Sequence, residues 1–131
     1  MVDSSIIGRE LAPTSLYIDE GRLRLFAKAT GADPTSSVPP TFLFSIELEA
    51  PDPFGWVQDV GIDIRKILHG EQSFTYHSRA QARETLTATP KIVDFYEKKG
   101  GGLQFIVKET RVTRADGSAV ADLKSVIVVR N

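Results

Sequence analysis

The sequence predicts an α+β domain in which antiparallel sheet dominates, and three observations predict it. A capped amphipathic helix ends near residue 30, the last half of the chain alternates apolar and polar residues over long runs, and glycine-containing turns at 100–102 and 116–117 join those runs. The 131 residues fit a single domain, residues 1–131. A domain of this size buries roughly two-thirds of the surface its unfolded chain exposes, enough for a core without staples.

The helix signal lies in "YIDEGRLRLFAKATGAD". Asp19 reads as the N-cap, and Glu20 sits in the first turn, where the helix dipole favours a negative charge. Ile18 and Leu23 have the spacing of a hydrophobic staple. Leu23, Phe26, Ala27 and Thr30 follow the i, i+3, i+4, i+7 pattern, and Gly31 is a natural stop, which gives a helix over residues 19–30. "ADPTSSVPP" is a loop by composition. The next run is ambiguous. In "PPTFLFSIELEA", Phe42, Phe44, Ile46 and Leu48 alternate as in a strand, while Phe42, Leu43 and Ile46 fit a helical face that a preceding proline would suit. "APDPFGWVQDVGID" breaks any regular element.

From Gly70 the pattern is strand-like. "GEQSFTYHSRA" sets Gln72, Phe74 and Tyr76 on one face and Ser73, Thr75 and His77 on the other, with Phe74 and Tyr76 read as core. "ETLTATPKIVDFYEKK" is a strand in which Pro90 marks a bulge or an edge. In "LQFIVKETRVTR", Leu103, Phe105 and Val107 share one face. Asp116-Gly117 is a hairpin turn, and Val126 to Val129 is apolar throughout, as expected of an interior strand or one covered at an interface.

Composition narrows the function. Sixteen basic residues against seventeen acidic ones give a net charge of −1 without a basic run, which argues against nucleic acid or an anionic membrane as partner. The absence of cysteine excludes disulfides, thiolate metal sites and a cysteine nucleophile. With only two histidines, the sequence implies neither a metal nor a cofactor. The first residues lack the pattern of a signal peptide, and no apolar run approaches the ~20 residues of a membrane span, so a cytoplasmic protein is expected. Nucleophile-elbow, zinc-protease, P-loop and dinucleotide patterns are missing.

Both histidines fall in "LHGEQSFTYH". On one continuous strand they would stand about 26 Å apart, too far to serve one site. Alternation places His77 on the solvent side. His69 precedes Gly70, where a bulge can turn it into a pocket; otherwise its role is structural.

At "FAKATGADP", "VPPTF", "LHGEQSFTYHSRAQARETL" and "LQFIVKETRVTRADGSAV" the chain resembles the MaoC-like hot-dog dehydratase family, above all the N-terminal, fungal-synthase-type dehydratase domain and the accessory subunit of mycobacterial (3R)-hydroxyacyl-ACP dehydratase. The resemblance implies a curved antiparallel sheet wrapped around a central helix, and it tips the run after Pro40 towards that helix. It also implies pairing of two hot-dog units, as a homo-oligomer or a heterodimer with a homologous subunit. Acyl thioesters of coenzyme A or acyl carrier protein would lie in the groove between them. Active members of the family read F-A-x-x-S-G-D-x-N-P-x-H after the first helix, where Asp and His activate the water. Here Phe26, Ala27 and Gly31 fit, but Asp33 is displaced, Ser36 stands where His is expected, and no histidine precedes His69. Where relatives read Y-H-R-P-L-x-A-G-D-x-L, this chain has Arg79 for the Pro, Arg83 for the Gly and Glu84 for the Asp, which would change the bend into the next strand.

Three functions follow from the resemblance. The first is an accessory subunit of an (R)-specific enoyl-thioester hydratase or 3-hydroxyacyl-thioester dehydratase that binds the acyl chain while a partner supplies Asp and His. The second is a self-sufficient dehydratase or thioesterase that uses His69, Asp33 and the backbone amides near Thr41 and Phe42. The third is a non-catalytic acyl-thioester binding module. Thr41, Phe42, His69, Gln72, Arg79 and Arg83 are the candidate substrate contacts, the two arginines as phosphate partners.

Overall fold

The computed structural model describes residues 2–33 and 38–131. After a 3-10 turn at Ser4–Ile6 come β1 (Thr14–Tyr17), α1 (Glu20–Thr30), α2 (Phe44–Leu48) and α3 (Gly55–Asp59), then β2 (Ile67–Tyr76), β3 (Thr85–Lys98), β4 (Leu103–Arg114) and β5 (Ala119–Arg130). The five strands form one curled antiparallel sheet in the order β1-β3-β4-β5-β2.

α1 forms as its caps dictate. The Asp19 carboxylate accepts the Arg22 N–H at 2.8 Å, and Gly31 closes the helix at φ +73°, a left-handed conformation that a side chain would strain. Leu23 and Ala27 are buried, and the Phe26 ring meets Phe42 edge-on at 5.3 Å. α2 resolves the ambiguous run in favour of a helix. Phe42, Leu43 and Ile46 are buried together, which only a helical period achieves. The helix is short because the turn formed by Pro39 to Leu43 takes up the rest of the run. α3 corrects the expectation of irregular chain over 50–63: Gly55–Asp59 makes one helical turn that buries Val57.

The sheet sharpens the strand reading at Pro90 and on β4, and corrects it at Tyr76. Pro90 belongs to an inner strand, but it lies beyond the Thr85–Ala88 stretch that pairs with β1, so its missing N–H leaves no ladder bond broken there. The β3 bulge falls later, between Ile92 and Asp94. On β4 the alternation holds, yet the inward face is Gln104, Ile106, Lys108, Thr110 and Val112, all buried. Leu103 and Phe105 point the other way, where the Phe105 ring stacks on Tyr96 at 4.7 Å. Tyr76 is not core: it is 40% exposed and its hydroxyl donates to the Pro40 carbonyl. Phe74 is partly buried against the core.

The apolar core has two parts. One gathers Ile18, Leu23, Leu43, Ile46, Leu86, Val112 and Leu123; the other gathers Val2, Ile6, Val57, Ile62, Ile92, Ile106 and Val129. What separates them on the sheet is polar.

Candidate functional site

Strand register lines up the separating residues. Gln72 of β2 stands opposite Ser125 of β5, and Ser125 stands opposite Lys108 of β4. The row crosses three strands on the concave face. α2 adds Glu47, whose carboxylate meets Lys108 Nζ at 2.8 Å and accepts the Thr110 hydroxyl at 3.0 Å. Both side chains of the Lys108–Glu47 pair are only 10% exposed. Both contacts go to Oε1, and Glu47 Oε2 is buried with no partner. Ions this deep are held only by each other, because either one alone would carry the full cost of lost hydration.

His69 joins this row through a bulge. The β2–β5 register shifts between His69 and Glu71, so His69 and Gln72, three residues apart, both point to the concave side. Gly70 is what permits it: a Cβ there would lie 2.9 Å from the Val128 side chain and 3.1 Å from the Val126 carbonyl oxygen. His69 Nε2 sits 3.2 Å from Gln72 Oε1, which also accepts the Ser125 hydroxyl at 2.5 Å. An amide oxygen only accepts, so Nε2 carries the proton, and in the neutral ring Nδ1 is left as an acceptor. The imidazole leans on Phe44, with ring centres 5.3 Å apart.

A cavity of about 800 Å³ opens between this face, α2 and α3. Phe44, Leu48, Trp56, Ile67 and Ile127 give it apolar walls; His69, Ser125, Lys108 and Glu47 give it polar ones on the sheet and α2, and the exposed Arg9, Glu10, Asp52 and Asp59 also line it. It runs across the sheet from His69 on β2, past Lys108 on β4, to Pro90 on β3 and the Leu11–Thr14 segment. Apolar walls with polar groups set among them suit a small organic ligand.

A second concavity, of about 620 Å³, lies at the other end of β2, between Ala32–Asp33, Val38–Pro40 and Tyr76–Ala80. Asp33, His77 and Arg79 line it. His77 Nε2 binds Asp122 Oδ2 at 2.7 Å, and Arg111 approaches the other oxygen at 3.5 Å. The hydrogen bond from His77, followed by the charges of His77 and Arg111, holds the Asp122 carboxyl below the usual carboxylate range.

The residues singled out from the sequence therefore separate. His69 lines the first cavity and Gln72 orients it; Asp33 and Arg79 line the second; the structure does not bring Asp33 to His69. Phe42 is buried in the core and its N–H donates to the Pro39 carbonyl, so that amide is not free to polarise a substrate; Thr41 is exposed. Arg83 pairs with Glu20 at 2.9 Å. It occupies φ +70°, a left-handed conformation that glycine adopts without strain. Glu84 binds Arg114 at 2.7 Å, and Arg114 also donates to Ser78, which ties the corner to the sheet. Ser36 lies outside the described residues. Lys108, Glu47 and Ser125 were not singled out; the available signal was a lysine in phase with Ile106 and Val112.

Comparisons agree with this architecture. The family model described as "FAS1-like, dehydratase domain region" matches residues 5–123. A UPF0336 protein from Saccharopolyspora erythraea is 29% identical over 145 residues, covering 98% of this chain and 92% of its own. Among solved structures, the C-terminally truncated HadBC (3R-hydroxyacyl-ACP dehydratase) complex from Mycobacterium tuberculosis superposes with a TM-score of 0.76 at 20% identity, over 94% of this chain and 96% of that one. A MaoC-like dehydratase from Phytophthora capsici superposes with a TM-score of 0.78 at 22% identity, over 100% of this chain and 50% of that one. These neighbours share the hot-dog fold of a curled sheet around a short helix. With a match across residues 5–123, the chain belongs to the FAS1-like dehydratase-region family.

Proposed function

We propose that this chain is the acyl-binding, accessory hot-dog subunit of an (R)-specific enoyl-thioester hydratase or 3-hydroxyacyl-thioester dehydratase. One observation carries the reading: a cavity of about 800 Å³ with apolar walls opens under α2, in a chain with no histidine before His69. The cavity can take an acyl chain of a coenzyme A or carrier-protein thioester. The segment after α1, where active relatives keep Asp and His, supplies no histidine, so a homologous partner subunit supplies both. The free edge of β2 supports such pairing, since an unpaired strand edge offers a row of N–H and C=O groups to another chain. The HadBC neighbour, itself a complex, is consistent with it.

The test is activity with and without a partner. The isolated chain should not hydrate crotonyl thioesters measurably, and adding a hot-dog protein that carries the intact Asp and His signature should produce turnover and a stable complex in sedimentation. Turnover by the isolated chain at roughly 1–1000 per second would reject the accessory role. It would favour the second reading, a self-sufficient enzyme, for which His69 is the group facing the cavity.

A further inference from the structure

We propose that the cavity under α2 selects a chain bearing a neutral hydroxyl group partway along its length, which it reads with the Lys108–Glu47 pair. The proposal rests on the acyl-binding reading for the apolar body of the ligand and adds the polar function.

Three observations support it. First, a cavity built for a plain alkyl chain has no use for buried ions, yet Lys108 and Glu47 both line this one with their side chains 10% exposed. Their presence costs hydration that hydrophobic residues of similar volume would not. Second, the position of the pair is central. Strand order places β4 between the β2 end of the cavity at His69 and the far end at Pro90 and Leu11–Thr14. β4 lies two strand spacings from β2, about 10 Å. A ligand lying along the cavity therefore has apolar chain on both sides of the group that meets Lys108. Third, the chemistry of the pair specifies that group. The two ions together are neutral, and the exposed Arg9, Glu10, Asp52 and Asp59 that also line the cavity leave an excess of negative charge, so an added carboxylate is disfavoured. Lys108 has N–H donors beyond the one aimed at Glu47, and Glu47 Oε2 is an acceptor without a partner. A hydroxyl can accept from the first and, once the Glu47 carboxylate rotates to turn its buried Oε2 towards the cavity, donate to the second. A ketone can only accept.

This hydroxyl is distinct from one at carbon 3, next to the thioester, where dehydration chemistry acts. The experiment uses the full chain and Trp56, its only tryptophan and part of the cavity wall, as the fluorescent reporter. The probes are dodecanoate, its 3-hydroxy isomer and its 5- to 9-hydroxy isomers, each as the free acid and as the pantetheine thioester. At least one mid-chain isomer should bind about tenfold more tightly than the parent chain, the worth of a hydrogen bond to a charged group, and the 3-hydroxy isomer should show no such gain. In the matched variant Lys108→Met with Glu47→Leu the order should reverse, with the unsubstituted chain preferred. Equal or weaker binding of every mid-chain isomer overturns the proposal, as does a preference that survives in the double variant. Should that variant not fold by circular dichroism, the wild-type isomer comparison decides alone. Thioesters that bind no better than free acids would count against the acyl-thioester reading, whereas the hydroxyl preference is read within the acids themselves.

Discussion

The two histidines of β2 sit on one stretch of chain and belong to different worlds. His69, itself exposed to solvent, is turned to the concave face by the bulge at Gly70 and joined through Gln72 and Ser125 to a buried row that ends in Lys108 and Glu47. His77, just past the strand, faces water and binds Asp122, which Arg111 also approaches, with His77 and Asp122 side chains 43% and 40% exposed. Similar polar groups recur at both ends. The difference is dielectric: a pair removed from water is held by mutual need, whereas a solvated pair gains little from its partner.

The largest effect should come from breaking the inner end. Lys108→Met leaves Glu47 buried without its counter-ion and should cost about 3–5 kcal/mol of unfolding free energy in urea titrations. Replacing both partners, Lys108→Met with Glu47→Leu, should restore most of that. A single variant as stable as wild type would mean that the pair is solvated after all.

Next is the bulge. Gly70→Ala puts a methyl group 3.1 Å from the Val126 carbonyl oxygen, which is backbone and cannot swing away. A loss of about 1–3 kcal/mol is expected in thermal unfolding. A loss below about 0.5 kcal/mol would show that the strand accommodates the methyl without strain.

The histidines themselves sharpen the contrast in function rather than stability. His69→Ala should weaken acyl-thioester binding by about tenfold in the assembled protein. His77→Ala should change it by less than about twofold, as substitutions on exposed surface usually do. Equal effects would dissolve the distinction between the two ends.

Smallest is the effect of Asp122→Asn, below about 1 kcal/mol at neutral pH, because the carboxylate is well exposed. Its sign with pH is defined. The folded state holds the carboxyl below its usual value of 3.8, so it binds that proton less readily than the unfolded chain. The contribution is complete above that value and fades as pH falls through the lower, folded one. The stability gap between variant and wild type should therefore close in acid, and a gap that widened there would contradict the ion pair.

How much of this could be read beforehand follows the physics of each element. α1 was legible because its signals are local: the cap at Asp19, the stop at Gly31 and a periodic apolar face all lie within thirteen residues. The bulge was legible as a possibility from Gly70, but which way His69 would turn depends on pairing with β5, which lies more than fifty residues away. α2 was ambiguous because it is barely more than one turn long. On β4 the shared face of Leu103, Phe105 and Val107 was legible, but which face turns inward was not, because the inward face carries Gln104, Lys108 and Thr110 and its polarity hid it. Gln104 is tolerated inside because it donates to the Val2 carbonyl at 2.8 Å and accepts from Asn131 at 2.9 Å, partners that no local pattern reveals. The resemblance carried the rest of the fold. It did not reach the Lys108–Glu47 pair, whose partners lie sixty-one residues apart in sequence on α2 and β4.

The division of the core has a thermodynamic consequence. Two apolar clusters separated by a polar seam are coupled mainly through the strands that cross both, so each can loosen without dismantling the other. The half holding Val2, Ile6, Val57 and Ile62 draws on the N-terminal segment and the α3 region, and it lacks the longer α1 that braces the other half. Amide hydrogens around α3 should therefore exchange through partial openings at a lower free energy than those of Leu86 or Val112. Such breathing would widen the cavity along its α3 wall as a long ligand enters.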